Sequence, residues 1–409
     1  MVLMPLVTTD PQAQHTDATG SCDATASSAS SASTGSSAST ASSASTGAGP
    51  ATSQLARIKA QFEPVRGYLN AATLGLPPIP VADAVREAVT QWQLGRASAA
   101  AYDQDVLAAR MAYARLVSVP DEWVSVGSQA SVIAGLVASS LPDGAEVVCV
   151  EGDFTSIVFP FMVHADRGIT VRHVPLSQLA SSLTDRTALV AFSLVQSACG
   201  SVADGPAIAA AARAVGALTF CDITQAAGWL PVAAGDFDLT VCSAYKWLCH
   251  PRGTAYLTIR PELIERVRPI HAGWYAGDDV WDSCYGPSMR LAGNARRFDV
   301  SPAWLSWVGA VPALDVMSMV PTALIHDHNI ALAEELRARI ALPAVGEPVI
   351  ASPIVSLTDP SGEIAARLAE RGATVASRAG RVRIAFHIWN TPDDVDLVAA
   401  ALSSVPTRP

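Results

Sequence analysis

The chain has 409 residues, half of them hydrophobic, and a formal net charge of −10. That charge argues against nucleic acid or an anionic membrane as a partner, since both recruit basic surfaces. Seven cysteines with no C-x-x-C pair suggest neither a disulfide framework nor a zinc site, no metal is expected, and no apolar run reaches the length of a membrane span.

In chain order, Ala18 to Ser53 is mainly Ser, Ala, Thr and Gly. Such a composition cannot bury enough apolar surface to offset the entropy of ordering, so residues 1–54 are expected to be a disordered tail. The start, Met1 to Pro5, lacks the basic region and long apolar core of a secretion signal, so a cytoplasmic location is expected. A short helix over Leu55–Ala60 follows. Next come the element Tyr68-Leu69-Asn70-Ala71-Ala72-Thr73-Leu74-Gly75 and an amphipathic helix over Val81–Leu94, bounded by Pro80 and Gly95. Val124 to Ala130 reads as strand, glycine turn and helix start, with the helix continuing from Ser131 to Ser139. Free N–H groups at such a start attract phosphate.

Val147–Val150 is a buried strand that breaks into a loop through Asp153 and Phe154, and Ala188–Ser197 is another strand ending in polar side chains. A crossover helix spans Pro206–Val215. The segment from Ala217 to Gln225 reads as a buried parallel strand ending at Asp222, because a continuous apolar run suits a sheet covered on both faces. A further strand ends in Ser243-Ala244-Tyr245-Lys246-Trp247. The alternation from Val124 to Ile259 implies an α/β fold with a doubly wound, mostly parallel sheet. Ligands of such sheets bind outside the carboxyl ends of the strands, so Asp222 and Lys246 approach one pocket. An acid and a lysine facing one site suit pyridoxal phosphate. The lysine amine can carry the aldehyde as a Schiff base, and the carboxylate can hold the ring nitrogen protonated.

On Asp222, Gln225 and the Ser243-Ala244-Tyr245-Lys246 run, the chain resembles the class V aminotransferase and cysteine desulfurase-like superfamily of fold-type I pyridoxal phosphate enzymes. The resemblance implies catalytic roles for Lys246 and Asp222. It puts Gln225 near the cofactor phenolic oxygen, Ser243, Ser128 and Gln129 at the phosphate, Phe154 on the ring, and Ser193 with Gln196 along the pocket. Tyr245 stands where the family more often has His. Asn70 would approach the substrate, Arg383 would bind its α-carboxylate, and Arg378 is a weaker second candidate. Ser301, in Val300-Ser301-Pro302, stands at the family's loop to the neighbouring subunit's phosphate, which implies a homodimer with shared sites.

The aromatic stretch His271 to Pro287 suits a loop over a binding site. Helices are expected over Pro302–Met317 and Pro321–Ile340. Pro348–Leu402 should then form a small α/β unit of a strand, a helix (Ser361–Arg371), paired strands and a last helix (Pro392–Leu402). The expected division is residues 55–320 as the large cofactor-binding domain, with 55–95 partly packed on a small domain of residues 321–409. Arg371 to Arg383 contains no cysteine. A desulfurase relaying sulfur through a protein persulfide needs a thiol there, so a transaminase or C–S lyase acting on an amino acid is expected. An epimerase, a desulfurase-like enzyme without that thiol and a catalytically idle relative are the alternatives.

Overall fold

Runs of apolar residues flanked by turns, with helices to cover both faces, favour parallel pairing over hairpins. The computed structural model describes residues 50–342 and 351–403. It shows seven strands in one sheet: β1 (Val124–Gly127), β2 (Glu146–Val150), β3 (Thr170–Val174), β4 (Thr187–Ser193), β5 (Leu218–Asp222), β6 (Leu239–Ser243) and β7 (Ala255–Ile259). Their order is β1-β7-β6-β5-β4-β2-β3. All neighbours from β6 to β3 run parallel, and β7 is antiparallel to both β6 and β1.

The helices that cover this sheet are α1 (Pro50–Lys59), α2 (Ile79–Gln93), α3 (Ala99–Leu116), α4 (Ala130–Ser140), α5 (Thr155–Met162), α6 (Gly205–Val215), α7 (Trp304–Val308) and α8 (Ala310–Met317). α1 begins at Pro50, four residues before the expected end of the tail at 54; the rest of that tail, residues 1–49, lies outside the described residues. The expected helix over Pro302–Met317 is two helices broken at Gly309. A Cβ there would lie 2.5 Å from Pro251 Cγ, so the chain passes too close to Pro251 for any larger residue.

Strand β3 and helix α3 have no counterpart in the sequence reading. β3 is half exposed and carries Arg172 and His173, so it lacks the apolar run that marks its neighbours. Helix α3 presents Arg110 among its buried residues, which breaks the apolar stripe on its inner face. Arg110 is matched by Asp299, with Nη2 2.6 Å from Oδ2, and Val126 N–H donates to the same carboxylate at 2.8 Å. Both ions are buried, so each depends on the other, and losing one partner of such a pair costs about 3–5 kcal/mol. The pair pins the end of β1 to the segment that leads to Ser301.

A second, antiparallel sheet forms from β8 (Ile354–Thr358), β9 (Ala376–Arg378) and β10 (Arg381–Ala385), in the order β8-β10-β9. The expected start of this region at Pro348 lies outside the described residues. Helices α9 (Thr322–Arg339), α10 (Glu363–Glu370) and α11 (Pro392–Leu402) pack on it through Leu332, Leu336, Leu368, Val395 and Val398. α11 opens with a capping box between Thr391 and Asp394 and has Pro392 at its first position. Asp394 Oδ1 also accepts from Gly67 N–H at 2.7 Å. The adjacent residue pair extends this sheet, since Leu69 N–H donates to Thr374 O at 2.9 Å and Ala385 N–H donates to Leu69 O at 2.8 Å.

The same segment then runs to Gly75, whose N–H donates to Tyr245 O at 3.0 Å. A Cβ on Gly75 would lie only 2.0 Å from Lys246 O, and one on Gly228, which has φ +104°, would lie 2.7 Å from Trp247 O. Two glycines thus let backbone close on the lysine loop from either side. Gly75→Ala is expected to destabilise the protein by about 3 kcal/mol or more, because neither backbone can yield without moving the other. Urea unfolding of the variant checks this, and an unchanged midpoint would refute the packing argument.

Candidate active site

Because β4, β5 and β6 are parallel neighbours, their carboxyl ends lie side by side. They deliver Ser193, Asp222 and Ser243 to one rim. Lys246 follows three residues after β6 and is 7% exposed. Its Nζ lies 5.4 Å from the ring centroid of Phe154 and 5.8 Å from that of Tyr245. Burial lowers its pKa to about 8 against the opposing pull of Asp222, with Arg383 adding to the lowering. A buried amine in this state sheds its proton far more readily than a surface lysine.

Asp222 is buried as well, and that burial raises its pKa to about 6 while hydrogen bonds from Thr224 oppose the rise. Thr224 N–H donates to Asp222 Oδ1 at 2.8 Å. The Thr224 hydroxyl accepts from Ser243 N–H at 2.9 Å, so one threonine ties the acid to the end of the next strand. Ser243 Oγ in turn accepts from Ala130 N–H at 3.2 Å, at the start of α4. Gln129 is the N-cap of α4 and makes no side-chain cap bond; Gln129 is exposed and Ser128 is half-buried. The result is a helix N-terminus edged by hydroxyl side chains, which suits a phosphate.

Phe154 is held by its neighbour. Asp153 is buried and accepts from Phe154 N–H at 2.7 Å, from Ser193 Oγ at 2.6 Å and Ser193 N–H at 2.8 Å, and from Gln196 Nε2 at 3.2 Å. Ser193 and Gln196 therefore bear on the site through Asp153, which fixes the Phe154 ring. That ring is 41% exposed, a flat apolar face left open beside the buried amine.

Gln225 brackets the lysine loop. Its Nε2 donates to Ala72 O at 2.9 Å and its Oε1 accepts from Trp247 Nε1 at 2.7 Å. From the other sheet, His387 Nδ1 accepts from Ile388 N–H at 2.7 Å, which leaves Nε2 to donate to Trp247 O at 2.9 Å. Burial lowers the His387 pKa to about 4, so the ring is neutral and this tautomer is the one its partners require. Tyr245 carries the Arg252 guanidinium 5.1 Å from its ring centroid.

Arg383, near the middle of β10, enters from above. Its Nη2 donates to Thr73 Oγ1 at 2.7 Å and its Nη1 donates to Ser197 O, while Nε is buried without a partner. Asn70 Oδ1 is likewise buried and unpartnered. Burial, then the Arg378 charge, lowers the Arg383 pKa to about 10. Arg378 is exposed at the end of β9. Ser301 is also exposed; Val300 N–H beside it donates to Val126 O at 3.3 Å, which places that segment along β1.

Thr224, Asp153 and Thr73 carry much of this geometry and escaped the sequence reading. Asp153 could have been found, since it ends a buried strand as Asp222 does. Thr224 and Thr73 give no such signal.

The residues present fit an aldehyde cofactor with a phosphate and a ring nitrogen. They offer a desolvated amine, a buried acid, an open aromatic face, a helix start without a side-chain cap and two orphaned polar atoms in one place. Fold and donor set together define a fold-type I pyridoxal phosphate enzyme, and pyridoxal 5′-phosphate is its cofactor. Residues 77–347 match the family Aminotransferase class-V, and the chain belongs to that family. The uncharacterized aminotransferase YcbU of Bacillus subtilis is 27% identical over 314 residues, covering 71% of this chain and 82% of that protein. Among solved structures, the cystine C-S lyase C-DES in complex with cysteine persulfide has a TM-score of 0.74 at 22% identity, over 83% of this chain and 97% of the other. The cysteine desulfurase CsdA of Escherichia coli has a TM-score of 0.73 at 20% identity, covering 85% and 97%.

Thr224→Val keeps the shape and the backbone N–H that Asp222 accepts from, but removes the hydroxyl that accepts from Ser243 N–H. Leaving that buried N–H unpaired is expected to cost about 1–3 kcal/mol. Thermal unfolding of Thr224→Val beside Thr224→Ser, which should be near neutral, separates the hydroxyl's effect from a change in packing.

Proposed function

We propose that this protein transforms an amino acid by moving its Cα proton, and that the outcome is elimination of a sulfur leaving group from Cβ, a C–S lyase reaction. The observation that carries the reading is the convergence of buried Lys246, buried Asp222 and Arg383 on one rim. When bound, pyridoxal phosphate supplies the aldehyde that takes up the substrate amine and a ring that accepts the electron pair from Cα.

The protein's own residues do the rest. Lys246 is the group that would carry the aldehyde and, once displaced by substrate, take the Cα proton on Nζ; a pKa near 8 suits a base at neutral pH. Asp222 would face the ring nitrogen, with Thr224 holding its carboxylate in place. Ser243, Ser128, Gln129 and the start of α4 would receive the phosphate, and Phe154 would cover the ring. Arg383 would clamp the substrate carboxylate with its forked donors, Thr73 and Ser197 O fixing its plane.

Elimination is favoured over sulfur relay by the β9–β10 connection. That connection is a two-residue turn at Ala379 and Gly380, and the chain from Arg371 to Arg383 has no thiol to receive sulfur. The solved C-S lyase structure shares the fold. Transamination is the second reading, supported by the aminotransferase name that the B. subtilis relative carries. Assaying the holoenzyme with cysteine conjugates for a keto acid plus ammonia, against formation of a new amino acid, decides between the two.

Apoprotein given pyridoxal phosphate should develop an absorption band near about 420 nm, and Lys246→Ala should not. The uptake rate should rise with pH and level off near the Lys246 pKa of about 8, because only the neutral amine attacks and burial has lowered its pKa from 10.5. A rise continuing to pH 10 would contradict that burial. Arg383→Lys keeps a charge but loses the fork, and should raise KM for the amino acid about 10-fold or more with folding intact. An unchanged KM would remove Arg383 from the carboxylate role.

A further inference from the structure

Arg383 is one of three arginines on the same face of the small sheet. In an antiparallel pair, opposed residues share a face, as do residues two apart on one strand. Arg381 is opposed to Arg378 on β9 and to Thr358 on β8, while Arg383 is opposed to Ala376 and Ser356. Arg378, Arg381 and Arg383 therefore form a row, and the row faces the site, because Arg383 reaches Thr73 and Ser356 Oγ donates to Ala198 O at 3.0 Å.

Like charges directly opposed across two strands repel. Among the described residues none of the three arginines has an acidic side chain within 4.0 Å. Their acceptors are all neutral. Arg381 donates to Ser356 Oγ at 2.9 Å, Ser356 O at 3.2 Å and Thr358 Oγ1 at 3.3 Å, and Arg378 donates to its neighbour's carbonyl, Ser377 O, at 2.8 Å. Asp359, next to Thr358, is committed elsewhere: its two oxygens accept from Ile364 and Ala365 N–H at 3.1 and 3.0 Å, at the start of α10. The Arg378 charge is also felt in the pocket, where it lowers the pKa of Arg383 and of Lys246.

The turn that opposes Arg378 to Arg381 is itself strained. Ala379 has φ +48° and Gly380 φ +67°, and a two-residue hairpin turn with both φ values positive is costly at an alanine. Strain of this kind persists where the flanking geometry is required.

We propose that Arg378, backed by Arg381, receives a second anionic group at the far end of the substrate, so that the substrate is a dianionic amino acid. This rests on the reading of Arg383 as the clamp for the first carboxylate. The row has the spacing for it, since Arg381 and Arg378 lie about 7 Å along the strands from Arg383. The second group is a carboxylate or a sulfur oxyacid.

The test is calorimetric titration of the holoenzyme with unreactive acids that lack the amine: propionate and butyrate against succinate, glutarate and 3-sulfopropionate. A dicarboxylate should bind about 10-fold or more tightly than the monocarboxylate of equal length, with the advantage shrinking as salt is raised. Arg378→Gln should bring that ratio close to 1 while leaving the monocarboxylate affinity as it was, and Arg378→Lys should keep part of the preference. Succinate above 3-sulfopropionate identifies a carboxylate as the second group, and the reverse order a sulfur oxyacid. Equal affinities in the wild type, no binding of any acid, or a preference that survives Arg378→Gln overturns the proposal. If monocarboxylates bind but ignore Arg383→Gln, the clamp reading fails; if they depend on Arg383 and dicarboxylates gain nothing, only the second subsite fails.

Discussion

The structure turns on keeping a lysine amine out of water at the end of a buried strand. Desolvation alone would make Lys246 a liability, since a charged amine inside protein is costly and lowers its own pKa to escape the cost. Asp222 across the strand ends offsets part of this, and its own burial would be costly without Thr224 and the amine. The two groups make each other tolerable. Neither works unless the strands are parallel neighbours, so the sheet topology and the acid–amine pair are one constraint seen at two scales.

Around that pair, the loop bearing Lys246 is fixed mainly by its backbone. Gly75 and Gly228 close on it, His387 takes the Trp247 carbonyl, and Gln225 takes the Trp247 indole. Backbone grips leave the lysine side chain free to change partners while its Cα stays put. A fixed anchor with a mobile tip is what a group needs if it must hold an aldehyde and then serve as a base. Asp153 does the equivalent for Phe154, spending four hydrogen bonds on one loop so that an exposed ring keeps its orientation.

What could be read from the sequence was set by contiguity. The strand ending at Asp222 and the one ending before Lys246 are continuous apolar runs, so period and termination both signal them. The turn before α4 and the polar end of β4 were visible for the same reason. Helix α3 was not, because Arg110 interrupts its apolar stripe and the compensating Asp299 lies 189 residues away. Thr224 and Thr73 were invisible because a threonine near a strand end is unremarkable until its partners are known. The arginine row was hidden too: Arg378, Arg381 and Arg383 share a face only because a two-residue turn sets the register, and one more residue would have turned Arg378 away. Gln225 is a different case, recognised by its spacing from Asp222, while its bonds to Ala72 and Trp247 show a bracket that spacing does not convey.

The segment Gly67 to Gly75 has a consequence for how the protein is made. Gly67 bonds to Asp394 across 327 residues of chain, and Thr73 meets Arg383 across 310. Contacts this distant in sequence form late, since the loop they close must be ordered before they reward it. During synthesis, the strands that carry Asp222 and Lys246 can assemble while the ribosome still holds the last quarter of the chain. The beginning of the folded region must wait beside them, its edge unpaired, until β10 and α11 emerge. The Arg383 side of the site is thus the last part of the molecule to exist, and a chain cut short before Arg383 would have Lys246 and Asp222 in place with nothing to meet Thr73 and Ser197 O.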